Sequence, residues 1–176
     1  MKQACSVLLG SAVLALAGCA AGEPVEPVSD LTEARADIRD ATGRIVANAS
    51  AMAGDRLRVR VEAAGLAPGT YGAHIHAVGR CDPPGFETAG PHWNPTQRQH
   101  GSQNPAGPHL GDLPNLLVGA DGQGSFELAV GGAEMGGPRG LLDRDGAALV
   151  IHAAPDDYRT DPSGNSGARI ACGVFG

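Results

Sequence analysis

The chain has 176 residues, enough for one domain of ordinary size, and 42% of them are hydrophobic, enough for a single core. Aromatic residues make up only 3%, whereas glycine and proline number 27 and 13, a mix that favours short strands, turns and long loops over a helical bundle. The formal net charge is −6 and the chain lacks a basic stripe, which argues against binding to nucleic acid.

The N-terminal residues predict a signal peptide. A weakly basic start is followed by an apolar run over residues 7–17, which is too short to span a bilayer as a mature helix. Residues 16–19 read Leu-Ala-Gly-Cys and resemble the lipobox of bacterial lipoproteins. That resemblance implies cleavage before Cys19, a diacylglyceryl group on its sulfur, and a lipid anchor on the periplasmic side of a bacterial cell envelope. An ordinary secretory signal cut near residue 20 or 21 is the alternative.

These features divide the chain into three parts. Residues 1–18 are the predicted signal peptide, residues 19–33 a lipid-anchored flexible tether without an apolar period, and residues 34–176 the folded domain. Removal of residues 1–18 also removes the only lysine. The mature chain then has 12 arginines against 19 acidic residues, a formal net charge of −7.

From about Ala34 onward the pattern has a period of two, most clearly over residues 56–62, where apolar and charged residues alternate as in a strand with one wet face. Eight segments are predicted as strands: those around residues 38, 45–46, 56–62, 70–78, 115–118, 125–130, 147–153 and 168–175. Asp121-Gly122 predicts a hairpin turn that pairs the fifth and sixth segments. Residues 79–114 and 155–167 stay irregular. We predict an all-β fold, an eight-stranded antiparallel Greek-key β-barrel or sandwich with two long functional loops.

Two of the four cysteines remain in the mature domain after Cys5 leaves with the signal peptide and Cys19 takes lipid. Two remaining thiols in an exported protein predict one disulfide, between Cys81 and Cys172. It would close a loop of about 90 residues, and the chain-entropy model assigns such a loop on the order of 4–5 kcal/mol. Two buried free thiols are the alternative.

All six histidines fall into a pattern typical of metal binding. His74 and His76 alternate on a predicted strand, so both rings project to one face and can converge on one ion. Three further histidines and one aspartate follow within 21 residues: His92, His100, His109 and Asp112. Three imidazoles and one carboxylate form a closed tetrahedral set suited to a structural zinc. His152, His74, His76 and one shared histidine would give the all-imidazole surroundings that favour copper.

Five stretches carry a resemblance to a known family. They read GAHIH at 72–76, AGPHWNP at 89–95, HLGD at 109–112, VIH at 150–152 and GNSGARIACGV at 164–174. In this order they are similar to the bacterial exported branch of the copper,zinc superoxide dismutases. The family's fold has a metal-binding loop and an electrostatic loop, which would correspond to the two irregular segments.

The resemblance implies a role for each matching residue. Copper would bind His74, His76, His92 and His152, and zinc would bind His92, His100, His109 and Asp112, one ion of each per chain. His92 would bridge the two metals and act as a catalytic residue together with Arg169, which would attract the anion. Asp156 would link a copper-bound and a zinc-bound imidazole, those of His74 and His100. Cys81 and Cys172 match the family's disulfide.

The implied reaction is the dismutation of superoxide to O2 and H2O2, as antioxidant defence in the cell envelope. The mature chain has no lysine to guide superoxide, so Arg98 and Arg159 are candidates for that role. Two other functions stay open from the residues: a metal-buffering lipoprotein on the same scaffold, and a zinc-only structural domain serving as an interaction module. Monomer and homodimer are both compatible with the sequence.

Overall fold

The computed structural model describes residues 32–176. The predicted signal peptide (1–18), the lipidated Cys19 and the tether up to residue 31 lie outside the described residues. The first strand begins at Glu33, which is the last residue of the predicted tether. Among residues 32–176, no helix is long and apolar enough to cross a membrane.

The described residues form an all-β fold, as predicted, with one short 3-10 helix at Glu87–Ala89. The nine strands of this part of the chain are β1 (Glu33–Asp40), β2 (Ile45–Met52), β3 (Leu57–Ala64), β4 (Gly69–Tyr71), β5 (Ala73–His76), β6 (Leu116–Val118), β7 (Gln123–Val130), β8 (Ala148–His152) and β9 (Arg169–Val174). Seven of them form one antiparallel curled sheet in the order β5-β8-β9-β1-β2-β3-β7, and β4 pairs with β6. This architecture is that of the predicted Greek-key barrel.

The predicted alternation of buried and exposed residues along β3 is confirmed. Leu57, Val59 and Val61 are buried, and Arg58 and Arg60 between them are exposed. Full burial of one such aliphatic side chain contributes roughly 1.5–3 kcal/mol. The outward arginines lie within salt-bridge distance of Glu127 on β7. The pattern therefore fixes which face of the sheet meets the core.

The predicted strand over residues 70–78 is two strands in the structure, because the chain changes sheets at Gly72. Its N–H donates to Ala154 O at 2.8 Å, and its carbonyl accepts from His152 N at 2.9 Å. A Cβ at this position would lie 2.8 Å from the Cβ of Ser166, closer than real Cβ atoms approach. Glycine at this position avoids that clash where the chain passes from the sheet of β4 to that of β5.

The predicted pairing of the segments at 115–118 and 125–130 is wrong, although the turn between them exists. Gly122 N donates to Gly119 O at 3.0 Å, but β6 pairs with β4 and β7 pairs with β3. The two strands cross closely, since a Cβ at Gly124 would overlap the carbonyl oxygen of Leu117. The predicted turn is closed by Gly119 N, which donates to Gln123 O at 2.8 Å, but beyond it the two strands continue in different sheets.

The two segments predicted to be irregular lie between β5 and β6 and between β8 and β9. The first is tied to β9 by the predicted disulfide, which is confirmed: Cys81 and Cys172 are bonded, with a Cα–Cα distance of 5.7 Å and a separation of 91 residues. We refer to residues 77–115 as the first long loop and to residues 153–168 as the second long loop.

Candidate metal centre

His74 and His76 lie on β5 with both side chains buried. β5 pairs with β8 so that His74 is opposite Val150, and His152 is the last residue of β8. Ile75, between the two histidines, points into the hydrophobic core. The alternation predicted from the sequence therefore directs two imidazoles to the face of the sheet that the long loops cover.

The first long loop returns along β5 and brings His92 beside these rings. Ile75 N donates to Gly111 O at 2.9 Å, and Trp93 N donates to Ile75 O at 2.8 Å. A Cβ at Gly111 would overlap the Ile75 carbonyl, so glycine is required for this approach. These bonds place the ring of His92 with its centroid 4.1 Å from that of His74.

Four histidines form the first group of ligands, which we call the copper set. One nitrogen from each of the four rings lies within 4.8 Å of the others, and the members are His74, His76, His92 and His152. The four inward nitrogens are His74 Nδ1 and the Nε2 atoms of the other three, and each is buried without a hydrogen-bond partner. A buried polar atom left unpaired costs about 1–3 kcal/mol, so four that converge indicate a ligand.

The outward nitrogens of the same rings fix the tautomers. His74 Nε2 lies 2.8 Å from an oxygen of Asp156, and His76 Nδ1 donates to Gly90 O at 2.8 Å. His152 Nδ1 donates to Gly167 O at 3.2 Å. Each of these three rings thus carries its proton on the outer nitrogen and turns the lone pair of the other nitrogen inward, as in metal-bound histidines.

Four residues form the second group, which we call the zinc set: His92, His100, His109 and Asp112. The Nδ1 atoms of its three histidines lie 3.1, 3.0 and 3.1 Å from Oδ1 of Asp112. The other oxygen of Asp112 accepts from the backbone of Gly101 at 2.8 Å and of His109 at 3.0 Å. Three imidazoles and a fixed carboxylate match a closed zinc site, and His92 belongs to both sets.

Asp156 links the two sets. Its carboxylate contacts His74 Nε2 at 2.8 Å and His100 Nε2 at 2.9 Å. The backbone N–H of Asp156 donates to the side chain of Asn115 at 2.8 Å, and the Asn115 amide donates back to Asp156 O at 2.9 Å. Sequence reasoning missed Asn115, because a polar residue 41 positions away carries no local signal of this contact.

Arg169 begins β9 and lies next to the copper set. Its guanidinium donates to Phe86 O and to Gly90 O, both at 2.8 Å. Gly90 O also accepts from His76, so one carbonyl orients a ligand and an arginine together. These two carbonyls were not predicted, since backbone acceptors in a loop leave no mark in the residue types.

Burial sets the protonation of three rings of the copper set, those of His76, His92 and His152. Desolvation together with the neighbouring His92 lowers the pKa of His76 to about 2, and desolvation lowers the pKa of His152 to about 3. Desolvation also lowers the pKa of His92 to about 4, although its bond to Asp112 works the other way. These rings are therefore neutral and ready to bind a metal at ordinary pH.

In the zinc set, the neighbouring carboxylates of Asp112 and Asp156 reverse the effect of burial on the pKa of a histidine. Burial disfavours a charge on His100, but its bonds to Asp112 and Asp156 outweigh burial and raise the pKa of His100 to about 9. Burial also opposes ionisation of Asp112, yet the hydrogen bonds from His100, His109 and His92 hold the pKa of Asp112 well below its usual range. The metal-free zinc set therefore holds an ion pair between His100 and its carboxylates.

A cavity of about 570 Å³ opens beside His92 and His109. Arg98 and Arg139 line it, but Arg169 and the other three histidines of the copper set do not, so a role for Arg98 in guiding the substrate stays a prediction. Arg159 is not among its lining residues; its guanidinium donates to Gln103 at 2.8 Å on the exposed surface. The structure thus brings together all seven predicted ligands and Arg169, and which metal each set binds stays a prediction.

Comparison with known proteins agrees with this geometry. The family model described as copper/zinc superoxide dismutase (SODC) matches residues 41–175. The chain is 46% identical over 121 residues to Cu-Zn superoxide dismutase 1 of Aquifex aeolicus (strain VF5), covering 66% of this chain and 70% of that protein. It is 38% identical over 181 residues to Cu-Zn superoxide dismutase 2 of the same organism, covering 99% of each.

The structural comparison gives the same result. The crystal structure of a SOD-like protein from Bacillus subtilis matches with a TM-score of 0.75 and 41% sequence identity, covering 80% of this chain and 96% of that one. The family model spans more than half of this chain, and the matched region contains every residue of the copper and zinc sets. The chain therefore belongs to the copper/zinc superoxide dismutase family.

Proposed function

We propose that this chain is a superoxide dismutase that converts two superoxide anions and two protons into O2 and H2O2. The observation that carries the proposal is the convergence of four buried, unpartnered imidazole nitrogens, one of them from a ring whose other nitrogen belongs to the zinc set. The family and its Cu-Zn superoxide dismutase relatives support the same reaction.

The donor sets fit the two metals of the family. All-imidazole surroundings suit copper, and three imidazoles with one carboxylate suit zinc. Copper held by His74, His76, His92 and His152 would supply a one-electron redox couple, and zinc held by the other set would supply a fixed positive charge.

His92 is the residue that can hold and pass a proton at the reacting centre. Its Nδ1 faces Asp112 at 3.1 Å, and its Nε2 faces the copper set without a partner. A proton at Nε2 would therefore stand beside the substrate while Nδ1 stays in the zinc set. Burial lowers the pKa of His92 to about 4, so the metal-free ring is neutral and carries its one proton on Nδ1, toward Asp112.

Arg169 supplies local positive charge for an anionic substrate. Two carbonyls fix its guanidinium, and burial lowers its pKa while leaving it charged at neutral pH. The net charge of −7 of the mature chain does not oppose this role. At physiological salt the Debye length is about 8 Å, so the charges nearest the site decide the attraction.

We also propose that the protein works in the bacterial cell envelope, attached through lipid on Cys19. The lipobox-like sequence supports the anchor, and the Cys81–Cys172 disulfide fits an oxidising compartment. Mass spectrometry of the N-terminal peptide from membranes, with Cys19→Ala as control, tests it. An unmodified N-terminus at residue 20 or 21 would support the secretory alternative.

The oligomeric state is a separate question, and light scattering of the soluble domain decides between monomer and homodimer.

A metal-binding protein without turnover is the second candidate, because one matched structure is described as SOD-like. Such a protein would need the two ligand sets but not Arg169. A zinc-only domain would need only the zinc set, and the four unpartnered nitrogens argue against it.

One experiment separates these candidates. Copper and zinc per chain are measured on purified residues 20–176, and superoxide dismutation is assayed on the same sample beside His92→Ala. One copper and one zinc with fast turnover, largely lost in the variant, would establish the enzyme. Full metal loading with negligible turnover would instead establish the metal-binding candidate.

A further inference from the structure

Two of the three histidines in the zinc set have an evident use for the nitrogen that faces away from Asp112. His92 directs it to the copper set, and His100 directs it to Asp156 at 2.9 Å. His109 Nε2 lies 4.0 Å from Oδ1 of Asp161. Asp161 is thus the carboxylate next to the third ring.

Asp161 is on the second long loop, five residues after Asp156. The same Oδ1 atom accepts the backbone N–H of His100 at 2.6 Å. The side chain of Asp161 is 48% exposed, whereas that of His109 is 7% exposed. One loop therefore brings two carboxylates to the zinc set, Asp156 at the buried end and Asp161 at the open end.

We propose that Asp161 is a positioning residue for His109, holding its ring through the Nε2–H. A histidine that binds a metal through Nδ1 carries its proton on Nε2, and an acceptor there orients the ring and raises its basicity. A separation of 4.0 Å is too long for a direct hydrogen bond, but the negative charge of the carboxylate at this distance favours the proton on Nε2. His109 and Asp161 both line the cavity of about 570 Å³.

This inference rests on the proposed function, because it requires zinc at the zinc set. A simpler role for Asp161 would be to clamp the two loops together through the N–H of His100. Asp161→Asn distinguishes the two roles. It keeps an oxygen that accepts from His100, but it removes the negative charge that faces His109. Asp161→Ala removes both.

The test measures the rate at which the full-length, metal-loaded protein releases zinc to a chromogenic chelator. We expect Asp161→Asn and Asp161→Ala both to release zinc about tenfold faster than wild type, at the lower end of the range for such outer carboxylates because Asp161 is half-exposed. Asp143→Asn is the matched control. Asp143 lines the same cavity, but its carboxylate accepts from Asp145 N and contacts no ligand.

A second readout is the Nε2–H proton of His109 in the NMR spectrum of the zinc-loaded protein. We expect it to shift and to exchange faster with solvent in Asp161→Asn, and to stay unchanged in Asp143→Asn. An Asp161→Asn protein with the wild-type release rate and His109 signal would overturn the inference while the zinc site stands. A wild-type protein that retains no zinc would overturn the inference and the proposed function together.

Discussion

The carboxylate of Asp156 and the imidazole of His100 form a buried hydrogen bond of 2.9 Å on the side of the ring away from Asp112. His100 is therefore held between two carboxylates, at Nδ1 by Asp112 and at Nε2 by Asp156. The other oxygen of Asp156 reaches His74 in the copper set. One loop residue thus joins both ligand sets, and its loss should disturb each of them.

Replacement of Asp156 by asparagine should weaken zinc binding by about 10- to 100-fold. The amide offers one acceptor oxygen where the carboxylate offers two, so either His74 or His100 loses its partner. Zinc affinity is measured by competition with a chelator. Asp157→Asn is the control, since Asp157 bonds within its own turn to Thr160 and Asn165. Equal zinc affinity in the two variants would contradict the role of Asp156.

Acidification should release zinc before copper. Metal-free His100, with a pKa of about 9, carries an extra proton at neutral pH that zinc must displace, so this group lowers zinc affinity about tenfold for each pH unit below 9. His76 and His152 have pKa values of about 2 and 3 and stay neutral down to acid pH. Their protons therefore do not compete with copper above about pH 5. Metal contents after dialysis against chelator from pH 8 to pH 4.5 test this; parallel loss of both metals would refute it.

Arg169→Glu should lower dismutase activity about tenfold while both metals stay bound. For an assumed separation of about 6 Å, reversal of one charge changes the attraction for an anion by roughly 1.4 kcal/mol even with the dielectric constant of water. Because salt screens charges, added salt should slow wild type and have less effect, or the opposite effect, on the variant. Arg58→Glu, on the exposed face of β3, is the control. Unchanged activity and salt dependence in Arg169→Glu would show that another residue attracts the substrate.

Loss of the disulfide should destabilise the metal-free domain by about 4–5 kcal/mol, the value from the chain-entropy model for a loop of this length. The double replacement Cys81→Ser, Cys172→Ser is compared with wild type by urea unfolding. Wild type in reducing agent should match the double variant. Activity should fall as well, because Phe86 O, which holds Arg169, lies on the segment that the disulfide ties down. Equal stability in the presence and absence of reductant would rule out this contribution.

Gly164→Ala should cost more stability and zinc affinity than Gly132→Ala. Both glycines have positive φ, +63° and +74°, so the strain of a left-handed alanine, about 1–2 kcal/mol, is common to the two variants. A Cβ at Gly164 would overlap the carboxylate of Asp156, whereas one at Gly132 would meet nothing within 4 Å. The difference between the variants isolates the displacement of Asp156. Urea unfolding and zinc affinity are the measurements, and equal effects would exclude a special role for Gly164.

Much of the fold follows from local pattern. The alternation over β3 shows its buried face directly, and the segments around β7, β8 and β9 are found within a few residues of their ends. Two predictions about the strands are wrong, the single strand over residues 70–78 and the pairing of 115–118 with 125–130, and both have one cause. At Gly72 and at Gly124 the backbone passes close to a distant segment, and the residues on either side carry no sign of that partner.

The sequence by itself determined the chemistry of the site: six histidines and Asp112 at spacings that allow two metals, and two cysteines left to pair, with Asp156 added by the family resemblance. The atoms with which a residue can bind a metal depend only on its type, and the alternation of a strand depends only on neighbouring residues. Both can therefore be found in the sequence. Only the tertiary structure decided that Gly90 O serves His76 and Arg169 together, that Asn115 holds Asp156, and that Asp161 faces His109. Those contacts join segments far apart in sequence, so no local pattern of residue types marks them.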